Sequence, residues 1–309
     1  MSENISVIQS IELKLHDSLA LTDSKFAPPT LVQALHHAVF PGGARIRPQL
    51  CLAVAAACGN DDPALSLAAA AAIELLHCAS LVHDDLPCFD DAATRRGQPS
   101  VHAAYGERLA VLSGDTLIVL AFEVIARAGN RSPLRLAPLI TTVATSVGSP
   151  NGIAAGQAWE CENKVSLSRY QKTKTGALFE AATAAGAQAA GSDAETWRPL
   201  GEWLGEAYQV ADDIRDVMAD QSMTGKPAGQ DIAHDRPNST KELGVIGAIQ
   251  HFDQLVMKAI KSIPSCKGEK LLRSLVAKEA ARLIPDDWFL EEQRPVSYTH
   301  LTLPTNREV

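Results

Sequence analysis

The run Leu65–Val82, LSLAAAAAIELLHCASLV, is almost wholly apolar and mostly alanine. Alanine is the best helix former, and a helix with so little side-chain bulk owes its stability to burial against other helices. Glu74 and His77 make the second half of the run too polar for a bilayer interior, so it reads as a buried helix and not as a membrane span. It is the one membrane candidate that the sequence singles out. Helical apolar spacing recurs over Ile5–Leu21, Arg47–Cys58, Ala64–Leu81, His102–Ala128, Leu167–Ala190, Thr196–Val217 and Gly244–Ile263. Breaks fall at Ala27-Pro28-Pro29, Pro41-Gly42-Gly43, the Gly148–Gly152 stretch and Lys226–Gly229. Few segments alternate apolar and polar residues, and aromatics are only 5%, which disfavours a sheet. The expected fold is one all-α domain, a helical bundle of roughly ten or more helices.

Charge and cysteine usage narrow the function classes. The formal net charge is −8, so the chain lacks the basic field that nucleic-acid binding needs. Local phosphate binding is not excluded by that. Six cysteines stand at 51, 58, 78, 88, 161 and 266 without any CxxC pair, which argues against a disulfide framework or a zinc site. The N-terminus has acidic and polar residues where an export signal needs a basic start and an apolar core, so a cytoplasmic location is expected. Residues 295–309 stand apart. Val296–Val309, VSYTHLTLPTNREV, reads as the translation of a transposase sequencing adaptor and is set aside, leaving 1–294 as the domain.

Two acidic clusters lie in apolar surroundings: His83-Asp84-Asp85-Leu86-Pro87-Cys88-Phe89-Asp90-Asp91 and Ala211-Asp212-Asp213-Ile214-Arg215-Asp216. Asp212 and Asp216 share one helix face. Asp84 and Asp90 would point about 120° apart on a regular helix, so that helix must bend or end near Pro87 for them to converge. Like charges this close repel, at roughly 1 kcal/mol per pair at 4 Å in water and several times that near an interior. A cation should offset this, and oxygen-only donors suggest Mg²⁺, with Ca²⁺ the other hard ion. The alternative is two solvated acidic helix ends. Basic residues beside glycines complete the pattern: Arg95-Arg96-Gly97, Gly42-Gly43-Ala44-Arg45-Ile46-Arg47, Lys174-Thr175-Gly176 and Gly225-Lys226. Singly, each reads as surface charge; together they read as a metal–diphosphate site.

The motifs GGARIRP, HCASLVHDDLPCFDDAATRRGQPSVH, GDTL, KTGALF, YQVADDIRD and TGKPAGQD resemble the trans-polyprenyl diphosphate synthases of the isoprenoid synthase superfamily, over nearly the whole chain. PGGARIRP, GKPAGQDIAHDRPN and SIPSCKGE resemble the geranylgeranyl diphosphate synthases of carotenoid and bacteriochlorophyll pathways. The resemblance implies a deep central apolar cavity, three Mg²⁺ per active site and a homodimer. It implies that Asp84, Asp85 and Asp90 bind metal from one side and Asp212, Asp213 and Asp216 from the other. Arg95, Lys174 and Lys226, with Thr175 and Gln209 as neighbours, would hold the allylic diphosphate. Arg47, His77 and Arg96 would hold isopentenyl diphosphate. The family usually has lysine at Ala44 and at Gln230, and the acid run is cut short by Ala92-Ala93-Thr94.

The implied reaction condenses isopentenyl diphosphate head-to-tail onto dimethylallyl, geranyl or farnesyl diphosphate. An allyl cation forms as the diphosphate departs, and an apolar interior keeps water from trapping it. The small residues Ala79 and Ser80, upstream of Asp84, together with Pro87-Cys88, suggest growth to geranylgeranyl diphosphate. Farnesyl diphosphate synthase, a terpene cyclase, a non-catalytic partner subunit and an HD-type phosphohydrolase centred on His83 are the rival readings. His36, His37 and His102 read as structural or surface groups.

Overall fold

The computed structural model describes residues 6–40, 42–162, 169–170, 172–218 and 238–284. Twelve α-helices are found among them. In chain order they are α1 (Val7–Ala20), α2 (Pro29–Val39), α3 (Ile46–Ala57), α4 (Pro63–Asp84), α5 (Val101–Tyr105) and α6 (Glu107–Ala128). After these come α7 (Pro133–Val147), α8 (Ile153–Ala158), α9 (Ala177–Ala189), α10 (Arg198–Met218), α11 (Ser239–Ser262) and α12 (Glu269–Leu283). The β structure among the described residues is one two-residue antiparallel ladder, β1 (Thr94–Arg95) with β2 (Gln98–Pro99). The adaptor-like tail, Lys226 and Gln230 lie outside the described residues.

The alanine-rich run is the axis of the bundle. Asp62 caps α4, its carboxylate accepting the Leu65 amide at 3.3 Å, and Pro63 occupies the first turn, where a missing N–H is harmless. α4 packs against α1, α3, α6 and α9. Ala68 to Ala72, Ile73, Leu75, Leu76, Cys78 and Ala79 join Leu117, Ala121, Leu178, Ala182 and Ala185 in one continuous core. Small side chains let these helices approach closely. Close approaches fall at glycines: a Cβ on Gly205 of α10 would lie 2.5 Å from the Gly176 Cα, and one on Gly201 would lie 2.5 Å from the Glu180 Cα. A second core surrounds Phe179, Tyr208 and Phe252, where α10 to α12 meet.

Several sequence expectations are corrected here. The span His102–Ala128 is two helices, because Gly106 takes φ +85° and breaks it. The last long span begins earlier, at Ser239, with a kink where Gly244 takes φ +69°. The break at Pro28-Pro29 is a helix start: Pro29 fills the first turn of α2. The membrane reading changes too. Both Pro63–Asp84 and Glu107–Arg131 are long and apolar enough to cross a membrane, but 78% of the first apolar window is buried inside the fold and only 44% of the second. α4 is thus a core helix, while α6 leaves Val111, Leu112 and Val119 exposed.

Candidate active site

The first acidic cluster converges because its helix stops. α4 ends at Asp84, and the chain folds back so that the Asp90 amide donates to the Asp84 carbonyl at 2.9 Å and the Ala92 amide to the Asp85 carbonyl at 3.1 Å. Asp90 is thereby brought beside Asp84. Burial pushes the Asp84 carboxyl above its ordinary value, Lys174 opposes that shift, and Asp90 and Glu160 add to it. Asp85 turns inward and is engaged by Arg95, whose Nε lies 2.9 and 3.2 Å from the two carboxylate oxygens and whose Nη2 also bonds it. The β1–β2 hairpin then presents Arg96 at φ +53°. Its guanidinium donates to the Gly42 carbonyl. A Cβ at Gly43 would sit 2.7 Å from the Arg96 Cζ, so a side chain there would displace the guanidinium.

The second cluster sits on α10. Asp212 is exposed, and Asp216 follows it by one turn on the same face. Asp213 faces the interior, accepting the Ser239 amide at 2.7 Å and the Gln209 side-chain amide at 3.0 Å. Thr175 donates to Gln209 Oε1 at 2.6 Å. Its neighbour Lys174 reaches the other way, with Nζ 4.0 Å from an Asp84 oxygen. The wide turn Lys172–Gly176 therefore bridges the two acid rows.

A group of cations adjoins the first row. Burial, reinforced by Arg47, Arg96, Arg95 and Arg45, holds the His77 imidazole well below its ordinary pKa, so this ring is a neutral hydrogen-bonding group at neutral pH. Arg47 lies with its Cζ 4.3 Å over the Phe179 ring, and its buried Nε has no acceptor among the described residues. Burial pulls the Arg47 pKa down, against the opposing pull of Glu74, Tyr208 and Asp212. The three residues expected to hold isopentenyl diphosphate thus meet, while Ala44, where a lysine would stand, is exposed.

Two residues of this site have roles that sequence reasoning does not assign. Arg45 is 2% exposed at φ +50° and donates to Glu12 at 2.8 Å, Glu74 at 2.6 Å and the Val39 carbonyl at 2.9 Å. It locks α1, α2 and α4 beneath the glycine turn that precedes Arg47. The sequence marks Arg45 only as one of two arginines at the glycine turn, and Glu74 only as a polar interruption of the alanine run. Glu160, in a single 3-10 turn after α8, pairs with Lys174 and accepts the Tyr170 hydroxyl at 2.6 Å. It belongs to neither acidic cluster.

Other residues are placed as follows. Ala79 is a fully buried core residue and Ser80 is half-buried, its hydroxyl donating to the His77 carbonyl at 2.8 Å. His83 packs on Gly114 of α6, 3.3 Å from the Val111 carbonyl. His37 and His102 bond the carbonyls of Pro99 and Ala92 at 2.7 and 3.0 Å. All six cysteines are free, and Cys88 and Cys161 are exposed.

Among the described residues no three Asp, Glu, His or Cys side chains form a ready-made metal site. The two rows are separate walls of hard oxygen donors, and Asp84 is a desolvated carboxylate crowded by Asp90 and Glu160. Such donors fit Mg²⁺ completed by oxygens of a bound diphosphate. Asp85 and Asp213, engaged by Arg95 and by Ser239 and Gln209, orient those partners as well.

Residues 28–277 match the family model described as polyprenyl synthetase. The chain is 55% identical over 277 residues to a geranylgeranyl diphosphate synthase of Cereibacter sphaeroides, covering 90% of this chain and 96% of that protein. It is 51% identical over 280 residues to a geranylgeranyl diphosphate synthase of Rhodobacter capsulatus, with 91% and 97% covered. Among solved structures it is similar to a Helicobacter pylori geranyltransferase complexed with magnesium and isoprenyl diphosphate, with TM-score 0.74, 27% identity, and 91% and 100% covered. The all-α bundle, the bridged acid rows and these similarities lead to one conclusion: the chain belongs to the polyprenyl synthetase family.

Proposed function

We propose that this protein is a prenyltransferase that condenses isopentenyl diphosphate head-to-tail onto an allylic diphosphate, with geranylgeranyl diphosphate as product. The observation that carries the reading is the turn Lys172–Gly176, which reaches Asp84 through Lys174 and, through Thr175 and Gln209, Asp213 of the second row, beside a pocket lined by Arg95 and Arg96. Arg95, Lys174 and Lys226 hold the allylic diphosphate, while Arg47, His77 and Arg96 hold that of isopentenyl diphosphate. The Asp84–Asp90 and Asp212–Asp216 rows would hold Mg²⁺, three ions per site by family resemblance, which would supply neutralisation of the charge on the departing diphosphate. Fixing both substrates side by side makes attack of the double bond on the allyl cation effectively unimolecular. The apolar interior around α4 excludes water from the cation. The homologues' names support the twenty-carbon product. Residues 1–294 form the synthase domain, acting in the cytoplasm in carotenoid biosynthesis.

The decisive experiment incubates the protein with Mg²⁺, isopentenyl diphosphate and farnesyl, geranyl or dimethylallyl diphosphate and sizes the products. A twenty-carbon diphosphate is expected. A fifteen-carbon end product would make it a farnesyl diphosphate synthase, and cyclic hydrocarbon or no condensation would defeat the reading. A homodimer through α6 is part of the proposal, supported by the exposed apolar residues Leu112 and Val119. Light scattering should give twice the chain mass, and Val119→Asp should lower it.

A further inference from the structure

The buried Nε of Arg47 has no acceptor among the described residues. Lys174 behaves differently. Its ammonium pairs with Glu160, and the two side chains are only 16% and 15% exposed. The carboxylate is held in place by the Tyr170 hydroxyl, which donates to the same oxygen at 2.6 Å. The lysine backbone is held too: a Cβ on Gly156 of α8 would sit 2.5 Å from the Lys174 Cα. The lysine side chain spans Glu160 and, at 4.0 Å, Asp84. A diphosphate that binds Lys174 must compete with Glu160, in surroundings where screening by water is reduced.

We propose that Glu160 is a resident counter-ion: the incoming diphosphate displaces it from Lys174, and it recaptures the ammonium as inorganic diphosphate leaves. It acts through Lys174 and is a positioning residue. Its effect is to weaken the grip on the leaving diphosphate and so to speed release. This rests on the diphosphate-site reading above.

The test is calorimetric titration of the full chain with inorganic pyrophosphate in Mg²⁺, with no prenyl substrate present. Glu160→Gln keeps an acceptor for Tyr170 and removes the competing charge. Its Kd for pyrophosphate should fall roughly tenfold, the scale of one charge-assisted hydrogen bond. In steady state, KM for the allylic substrate and kcat should both fall, and pyrophosphate inhibition should tighten. Glu160→Asp, a shorter acid drawn back from Lys174, should shift Kd the same way by less, and it decides the matter if Glu160→Gln does not fold. A purely structural role predicts weaker binding. Unchanged or weakened pyrophosphate binding in a folded variant, beside normal binding by the wild type, overturns this inference alone. A wild type that binds no pyrophosphate sinks the diphosphate-site reading and this inference with it.

Discussion

Asp84 and Asp212 hold the chemistry at the level of single residues, and Arg45 holds the framework. Asp84 is a carboxylate that burial disfavours, so its removal relieves a desolvated charge. Asp84→Ala and Asp212→Ala should therefore each lower kcat by on the order of a hundredfold or more while leaving the melting temperature within a few degrees of wild type. Turnover retained in both variants would defeat the proposed mechanism. Arg45→Ala should behave in the opposite way. It strands Glu74, 2% exposed, without its cation, and the expected loss is about 3–5 kcal/mol of stability by urea unfolding. Adding Glu74→Gln should recover part of that loss, because the neutral amide is less costly to bury.

At the scale of elements, helix contacts set the reach of the side chains they carry. The approach of α10 to the Lys172–Gly176 turn depends on Gly205 having no Cβ. Gly205→Val should push the turn away, costing roughly 1–3 kcal/mol through overpacking and raising KM for the allylic substrate, since Lys174 and Thr175 move with it. α4 offers a second element-scale test. Ser80 lies one turn before Asp84 and is half-buried, whereas Ala79 is sealed in the core. Ser80→Phe and Ala79→Tyr should both shorten the product, with the larger loss of melting temperature at Ala79. An unchanged product profile in both would remove α4 from the determinants of chain length.

Considered as a whole, the described residues set two acid rows and neighbouring arginines in an alanine-rich bundle. Linkage gives the sign of its pH response. Asp84 has its pKa raised on folding above the ordinary 3.8, so the stability it contributes is present in acid and lost as pH rises through the folded value. Near neutral pH the ion-free protein carries that cost, and Mg²⁺ with pyrophosphate should offset it. The expected outcome is a rise in melting temperature on adding both, larger at neutral pH than in mild acid, read by differential scanning fluorimetry. A rise of equal size at both pH values would exclude Asp84 from the metal site.

Much of this was legible in the residues themselves. Alanine-rich periodic runs specify helices because propensity and pattern are local, and the one-turn spacing of Asp212 and Asp216 fixes their common face wherever α10 lies. The need for α4 to stop near Pro87 also follows from local sterics, and Asp90 does fold back onto Asp84. What the chain order could not show is which distant groups neutralise one another. Arg45 finds Glu12 and Glu74, Lys174 finds Glu160 and Asp84, and Asp213 finds Ser239. Such pairings are decided by helix packing, because the energy of a charge depends on what three-dimensional burial leaves beside it, and that information is carried by no short stretch of sequence.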